Sequence, residues 1–211
     1  MKWIRKQEEP EAFTDWKALA NEDWQPSYDT LSGDPKEAVK TALMKEQGYI
    51  CCYCERRLVD ADSHIEHFRP QSDPDVDPLD FSNMLCSCQD QLKKGEPRHC
   101  GVLKDDWFDS QLLISPLDPD CETRFAFSGR GRIKPAQKTD EAAIETIARL
   151  GLDIPKLNDL RASAIEPFID EALSTEELAQ FVSGYLKMDN GNQFNQFWTT
   201  IRYLFGDYAT L

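Results

Sequence analysis

The chain has 211 residues, 40% of them hydrophobic, which suffices for one sizeable core with a smaller lobe and excludes a disordered or collagen-like polypeptide. Its 24 Lys+Arg against 38 Asp+Glu give a net charge of −14, so it does not hold nucleic acid by its overall field; any such contact is local or supplied by a partner. No run approaches the roughly 18 to 20 consecutive apolar residues of a membrane span, and the opening MKWIRKQEEPEAF lacks a signal-peptide core, so a cytoplasmic chain with no membrane contact is expected.

In chain order, residues 1–33 scatter Trp3, Trp16 and Trp24 among polar residues and are expected to form an irregular or helical arm packed on the body. Asp34-Pro35-Lys36-Glu37 is a helix-start signature, with Asp as N-cap, Pro at the first helical position and Glu reaching back. Ala38, Val39, Ala42 and Leu43 follow at helical spacing, and Gln47-Gly48 ends the helix, which delivers the chain to Tyr49-Ile50-Cys51. The block 49–104 is broken by prolines and aspartates and suits a small unit whose thin core needs a metal. Arg124 to Lys138 (RFAFSGRGRIKPAQK) has five basic and no acidic residues and a Ser128-Gly129-Arg130-Gly131 turn, which predicts a basic β-hairpin. The last third reads as four helices: one after Thr139 stopped by Gly151, one from Pro155, one from Ser174 with Glu177 completing a capping box, and one holding Phe194, Phe197, Trp198, Ile201, Leu204 and Phe205. From residue 139 onward 5 basic residues face 12 acidic ones, so this lobe is unsuited to phosphate.

Seven cysteines, an odd number without a secretory signal, argue against a disulfide framework and for metal binding or catalysis. Six of them, and all three histidines (64, 67 and 99), fall between residues 51 and 100. Cys51 and Cys54 form a C-x-x-C knuckle, the usual first half of a tetrahedral zinc site. Cys88 and Cys100 can supply the second half, with Cys86 or His99 as substitutes; a redox pair or unligated thiols are the competing readings. Cys52 and Cys121 read as ordinary small apolar residues.

Between the two halves lies His64-Ile65-Glu66-His67-Phe68-Arg69-Pro70, followed by Asn83 in Asp80-Phe81-Ser82-Asn83-Met84-Leu85. An acid-His pair followed by an Asn, framed by paired cysteines, resembles an HNH nuclease. The resemblance implies an α+β fold: a zinc-stabilised ββα-metal core over 49–138 that carries the basic hairpin, after an N-terminal arm and helix (1–48) and before a mainly helical C-terminal lobe (139–211). Phosphodiester hydrolysis explains the residue types. His67 is a base suited to neutral pH, and Glu66 and Asn83 supply hard oxygen ligands to a catalytic Mg²⁺ or Mn²⁺ that offsets charge on the leaving oxygen. Asn83 ligates the metal or orients the histidine, and is expected to open the helix side of the motif. His64 contacts metal or substrate or makes a structural hydrogen bond; Arg69 clamps a phosphate or pairs with Asp73, Asp75, Asp77 or Asp80; His99 is a zinc alternate or a third active-site residue. Where the family's final histidine is expected, the chain reads Gln91-Leu92-Lys93.

Over most of its length the chain resembles the retron-associated HNH family, which includes the PtuB nucleases of Septu antiphage defence. The resemblance rests on YICCYCE, HIEHFRPQS, NMLCSC, HCGVLK, Ser115-Pro116-Leu117, FAFSGRGRI, ETIARLGLD and LNDLRASAI. It implies structural zinc on Cys51, Cys54, Cys88 and Cys100 and a catalytic set of Glu66, His67 and Asn83. It also implies a PtuA-type ATPase partner, with or without a retron reverse transcriptase and its small DNA. DNA is the default substrate; a toxin acting on RNA such as tRNA, and a non-catalytic zinc adaptor for the ATPase, are the alternatives.

Overall fold

The computed structural model describes residues 1–209. In the N-terminal arm, helix α1 (Glu11–Ala18) buries Phe13, whose ring stacks on Trp16, while Trp24 meets Trp16 edge-on. Helix α2 (Gly33–Glu46) starts earlier than Asp34-Pro35 suggests: Ser32 is the N-cap, no side chain caps the helix, and Pro35 falls within its first turn. Its end is as read, at Gln47-Gly48.

Gln47 then does what a neighbouring strand would do. Its buried carboxamide accepts from Cys86 N at 2.7 Å and donates to Cys86 O and Ile50 O, both at 2.9 Å. This side chain satisfies both backbone groups of Cys86, which an exposed strand edge would leave to water.

Strands β1 (Ser63–His67) and β2 (Met84–Cys88) pair antiparallel, with Ile65 opposite Cys86 and His67 opposite Met84. Asn83 ends a 3-10 turn (Phe81–Asn83) that enters β2, a correction to its expected place at the start of a helix. The reason is local: Asp80 caps that turn by accepting from Ser82 N, and Met84-Leu85-Cys86 continues as a buried strand. After β2 comes a single helical turn, α3 (Gly101–Lys104).

The basic segment forms the expected hairpin, β3 (Phe125–Phe127) with β4 (Ile133–Pro135). Its tip docks inward: Gly131 has φ +74°, and a Cβ there would lie 2.0 Å from the Asn158 carbonyl, so only glycine fits. Arg124 pairs with Asp140 at 2.6 Å and Arg132 with Asp153 at 2.5 Å, leaving Arg130, Lys134 and Lys138 exposed without a carboxylate partner among the described ion pairs. The hairpin packs against the helical lobe through α4 and α7.

That lobe comprises α4 (Glu141–Arg149), α5 (Pro155–Ile165), α6 (Thr175–Leu186) and α7 (Trp198–Phe205). The Ser174/Glu177 capping box forms at α6. The last helix begins at Trp198, later than its apolar spacing implies, because Phe197 adopts a left-handed backbone that separates Phe194 from the helix. A satellite core of Ile165, Phe168, Val182 and Ile201 holds α5, α6 and α7 together. The main core runs from the arm through the cysteine segment to Leu157 on α5. No helix of the described residues is long and apolar enough to cross a membrane.

One buried ion pair joins the arm to the cysteine segment, and hydrogen bonds tie the lobe to it. Glu55, directly after Cys54, meets the Met1 ammonium at 2.7 Å and accepts from Thr199 N at 2.8 Å and from the Thr199 hydroxyl. Burial opposes ionisation of Glu55, but the ammonium and the Thr199 donors outweigh it and hold the carboxyl below its ordinary range. Glu55→Ala leaves the buried ammonium without a counter-charge, with only the Thr199 hydroxyl as acceptor among the described residues, and is expected to cost about 3 to 5 kcal/mol in denaturant unfolding. The contribution of Glu55 is fully present above the ordinary glutamate pKa and is lost as pH falls through its depressed native value.

Candidate active site and metal centre

Four sulfurs converge where the knuckle, the end of β2 and the start of α3 meet. The Sγ atoms of Cys51, Cys54, Cys88 and Cys100 all lie within 4.8 Å of one another and are buried, with Cys54 and Cys88 3.7 Å apart. Backbone geometry puts them there. Cys51 N bonds to Arg56 O and Glu55 N to Cys51 O, closing the knuckle with Glu55 at φ +64°. Cys100 sits at φ +57° with its N–H on Leu150 O, so the first helix of the C-terminal lobe fixes the fourth ligand.

Four thiols this close cannot all ionise without a cation. Burial works against charge at Cys51, yet hydrogen bonds from Cys100, Cys52, Cys54 and Cys88 pull its pKa well down, while Cys88 and Cys100 are pushed up. A tetrahedral ion with Zn–S bonds of about 2.3 Å needs sulfurs about 3.8 Å apart, and an all-sulfur donor set selects zinc over hard cations. The group fits zinc. Neither Cys86 nor His99 belongs to it. Burial pushes Cys86 and Cys121 up to about 12, as for inert core thiols. His99 is fully buried beside the cluster, with Nδ1 3.1 Å from Cys100 Sγ and 3.8 Å from Cys88 Sγ.

The β1–β2 ribbon carries the remaining candidates. Alternation along β1 puts His64 and Glu66 on one face and Ile65 and His67 on the other. Glu66 is 6% exposed. Its Oε1 accepts from the Tyr53 hydroxyl at 3.1 Å and meets Lys104 Nζ at 3.0 Å, while Oε2 is 3.5 Å from His64 Nε2. Gly101 makes this packing feasible: a Cβ there would stand 2.2 Å from Glu66 Oε2 and 2.9 Å from His64 Nε2. Gly101→Ala must therefore displace the carboxylate. The expected cost is about 1 to 3 kcal/mol of overpacking, seen as a lower denaturant midpoint.

His67 is equally buried on the opposite face. Its Nε2–H donates to the Pro78 carbonyl at 2.9 Å, and Nδ1 accepts from the Gln71 amide at 3.2 Å. That pairing fixes one neutral tautomer with its lone pair on Nδ1. Tyr28 of the arm meets the ring edge-on at 4.6 Å. Burial holds the His67 pKa below 6.5, against the opposing pull of the Pro78 carbonyl and Glu66, and Lys104 lowers it further.

Asn83 bonds the backbone of Arg69 twice, accepting from its N–H and donating to its carbonyl, both at 2.9 Å. The carboxamide thus closes the loop between the two strands and fixes the direction in which the chain leaves His67. Arg69 pairs with Asp73 at 2.7 Å, which realises the ion-pair alternative for that residue. Sequence reasoning missed Tyr53, Lys104, Gln71, Tyr28 and Gly101. Tyr53 and Gly101-Lys104 adjoin zinc-type cysteines, and that adjacency was the available signal.

No family model matches the chain. Over 141 residues it is 31% identical to a Vibrio cholerae serotype O1 biovar El Tor protein named "Retron Vc95 putative HNH endonuclease", the match covering 64% of this chain. That likeness supports the HNH endonuclease family. The match spans 66% of the relative, just under two thirds of it. A nuclease acts on nucleic acid, and the helices, two small sheets and four-cysteine group agree with such a protein.

Proposed function

We propose that the protein is a metal-dependent HNH endonuclease whose general base is His67, acting as the effector of a Septu or retron-type antiphage complex with a PtuA-type ATPase. The observation that carries the nuclease reading is the tautomer of His67. The Pro78 carbonyl takes the Nε2 proton, so Nδ1 holds a lone pair able to draw a proton from water. Gln71, an exposed loop residue, occupies that lone pair and gives way to the attacking water. Glu66 carries the negative charge beside the base strand, and His64 Nε2 stands 3.5 Å from its outer oxygen. This carboxylate-imidazole pair suits Mn²⁺ better than Mg²⁺, which favours all-oxygen shells. A divalent ion held there lies on the face of β1 opposite the His67 ring, so it would offset charge on the leaving 3′ oxygen only of a phosphate that meets both faces at the end of the strand. We assign Asn83 to loop closure in place of metal ligation, because both ends of its amide are engaged with Arg69. The four sulfurs hold structural zinc, which pins the ribbon and α3 against each other.

The composition is acidic, and with Arg124 and Arg132 paired to carboxylates the hairpin offers Arg130, Lys134 and Lys138 as its positive side chains unpaired among the described ion pairs. A net charge of −14 leaves substrate capture to a partner, which the resemblance implies is the ATPase. The test is to incubate the zinc-loaded protein, alone and with the co-expressed ATPase, with plasmid, phage DNA and total RNA, with and without Mn²⁺ or Mg²⁺. Ion-dependent cleavage of DNA is expected, and strongest with the ATPase present. Cleavage of RNA alone overturns the default substrate, and cleavage of neither polymer favours the adaptor.

A further inference from the structure

Lys104 closes the single turn α3, four residues past Cys100, and its side chain is 1% exposed. A lysine buried this deeply needs partners for its charge and its three N–H groups. It has them: Glu66 Oε1 at 3.0 Å, the His67 carbonyl at 3.1 Å and the Asp105 carbonyl at 3.2 Å. The Tyr53 hydroxyl bonds the same Glu66 oxygen. One oxygen of the carboxylate is therefore taken by two donors, and the other faces His64 across Gly101.

We propose that Lys104 is a positioning residue that presents Glu66 to a divalent ion through Oε2 alone and, by its own charge, keeps that ion loosely held until nucleic-acid phosphates join it. The inference deepens the metal-assisted reading above and rests on it. Its physical content is a sum of charges. Glu66 and Lys104 cancel, so without substrate this carboxylate offers a dication no net attraction, and a buried ammonium on the same carboxylate repels it with little screening. A bound phosphodiester supplies the missing negative charge. Because the ammonium also bonds the His67 carbonyl, one side chain orients the strand positions of both base and carboxylate.

The test is a Mn²⁺ titration of the full, zinc-loaded chain without nucleic acid, read by the electron paramagnetic resonance signal of free Mn²⁺. Lys104→Met is expected to bind Mn²⁺ about tenfold more tightly or better, the effect of removing one like charge even under water-like screening, whereas Lys104→Arg stays as weak as the wild type. Wild type and Lys104→Met binding with equal affinity, both losing the ion on Glu66→Gln, overturns the inference and leaves the metal reading standing. Binding that ignores Glu66→Gln, or no binding by either protein, removes the metal reading and the inference with it. Zinc content and circular dichroism show whether a variant is folded. Should the methionine variant lose its zinc, Lys104→Gln removes the charge while keeping a donor. A wild type that retains Mn²⁺ through gel filtration contradicts the inference without any variant.

Discussion

Cys100→Ser is expected to empty the zinc site and lower the thermal transition by about 10 °C or more, if a cooperative transition survives at all. Structural zinc in small domains is worth about 10 to 16 kcal/mol of apparent binding energy, comparable with the whole stability of a domain at about 5 to 15 kcal/mol. Here the site joins three pieces distant in sequence: the knuckle after α2, the end of β2 and the start of α3. Cys100 also links them to the helical lobe through Leu150. Cys121→Ser is the matched control, since Cys121 is buried far from the cluster with its sulfur near the Met1 and Pro116 carbonyls. Zinc per chain by elemental analysis should fall from about one to near zero for Cys100→Ser and stay unchanged for Cys121→Ser. Full zinc in the Cys100 variant would show that Cys100 is not a required ligand, with His99 Nδ1 3.1 Å from its sulfur as the replacement at hand.

His67→Ala is expected to lower cleavage about 10²- to 10⁴-fold, the usual worth of a positioned general base. Zinc content should not change, because the hydrogen bonds of His67 run to Pro78 and Gln71 and not to the sulfurs. The fold should bear the loss, as the ring lies at the edge of the ribbon between Tyr28 and the 68–83 loop. Under the proposed defence role, antiphage protection should disappear with cleavage. Protection that survives the substitution would make the chain an adaptor whose acid-His pair has no chemical task.

The sequence was legible where one residue type has one use. Paired cysteines mark a metal knot, Ser174 and Glu177 mark a helix start, and Gly131 marks a turn that nothing larger could make. It was less legible where a side chain serves two masters. Asn83 offers an amide that can ligate a cation or bind backbone, and only the approach of Arg69 reveals that both its ends are engaged. Nothing in HCGVLK marks Lys104 as buried, yet the fold buries it against Glu66, a pairing set by strand and turn 37 residues from the His67 carbonyl it also bonds. The hairpin shows the same limit. Its basic composition was plain, but the carboxylates that neutralise Arg124 and Arg132 come from Asp140 and Asp153, beyond the segment.

The most direct test is the chemistry of the ends left by the cut. After single-turnover reaction of the zinc-loaded protein with Mn²⁺ on end-labelled DNA and RNA strands, water activated at His67 should leave a 5′ phosphate and a 3′ hydroxyl. Fragments ending in a 2′,3′-cyclic phosphate would show that the nucleophile was the ribose hydroxyl and not water, and would contradict the assignment.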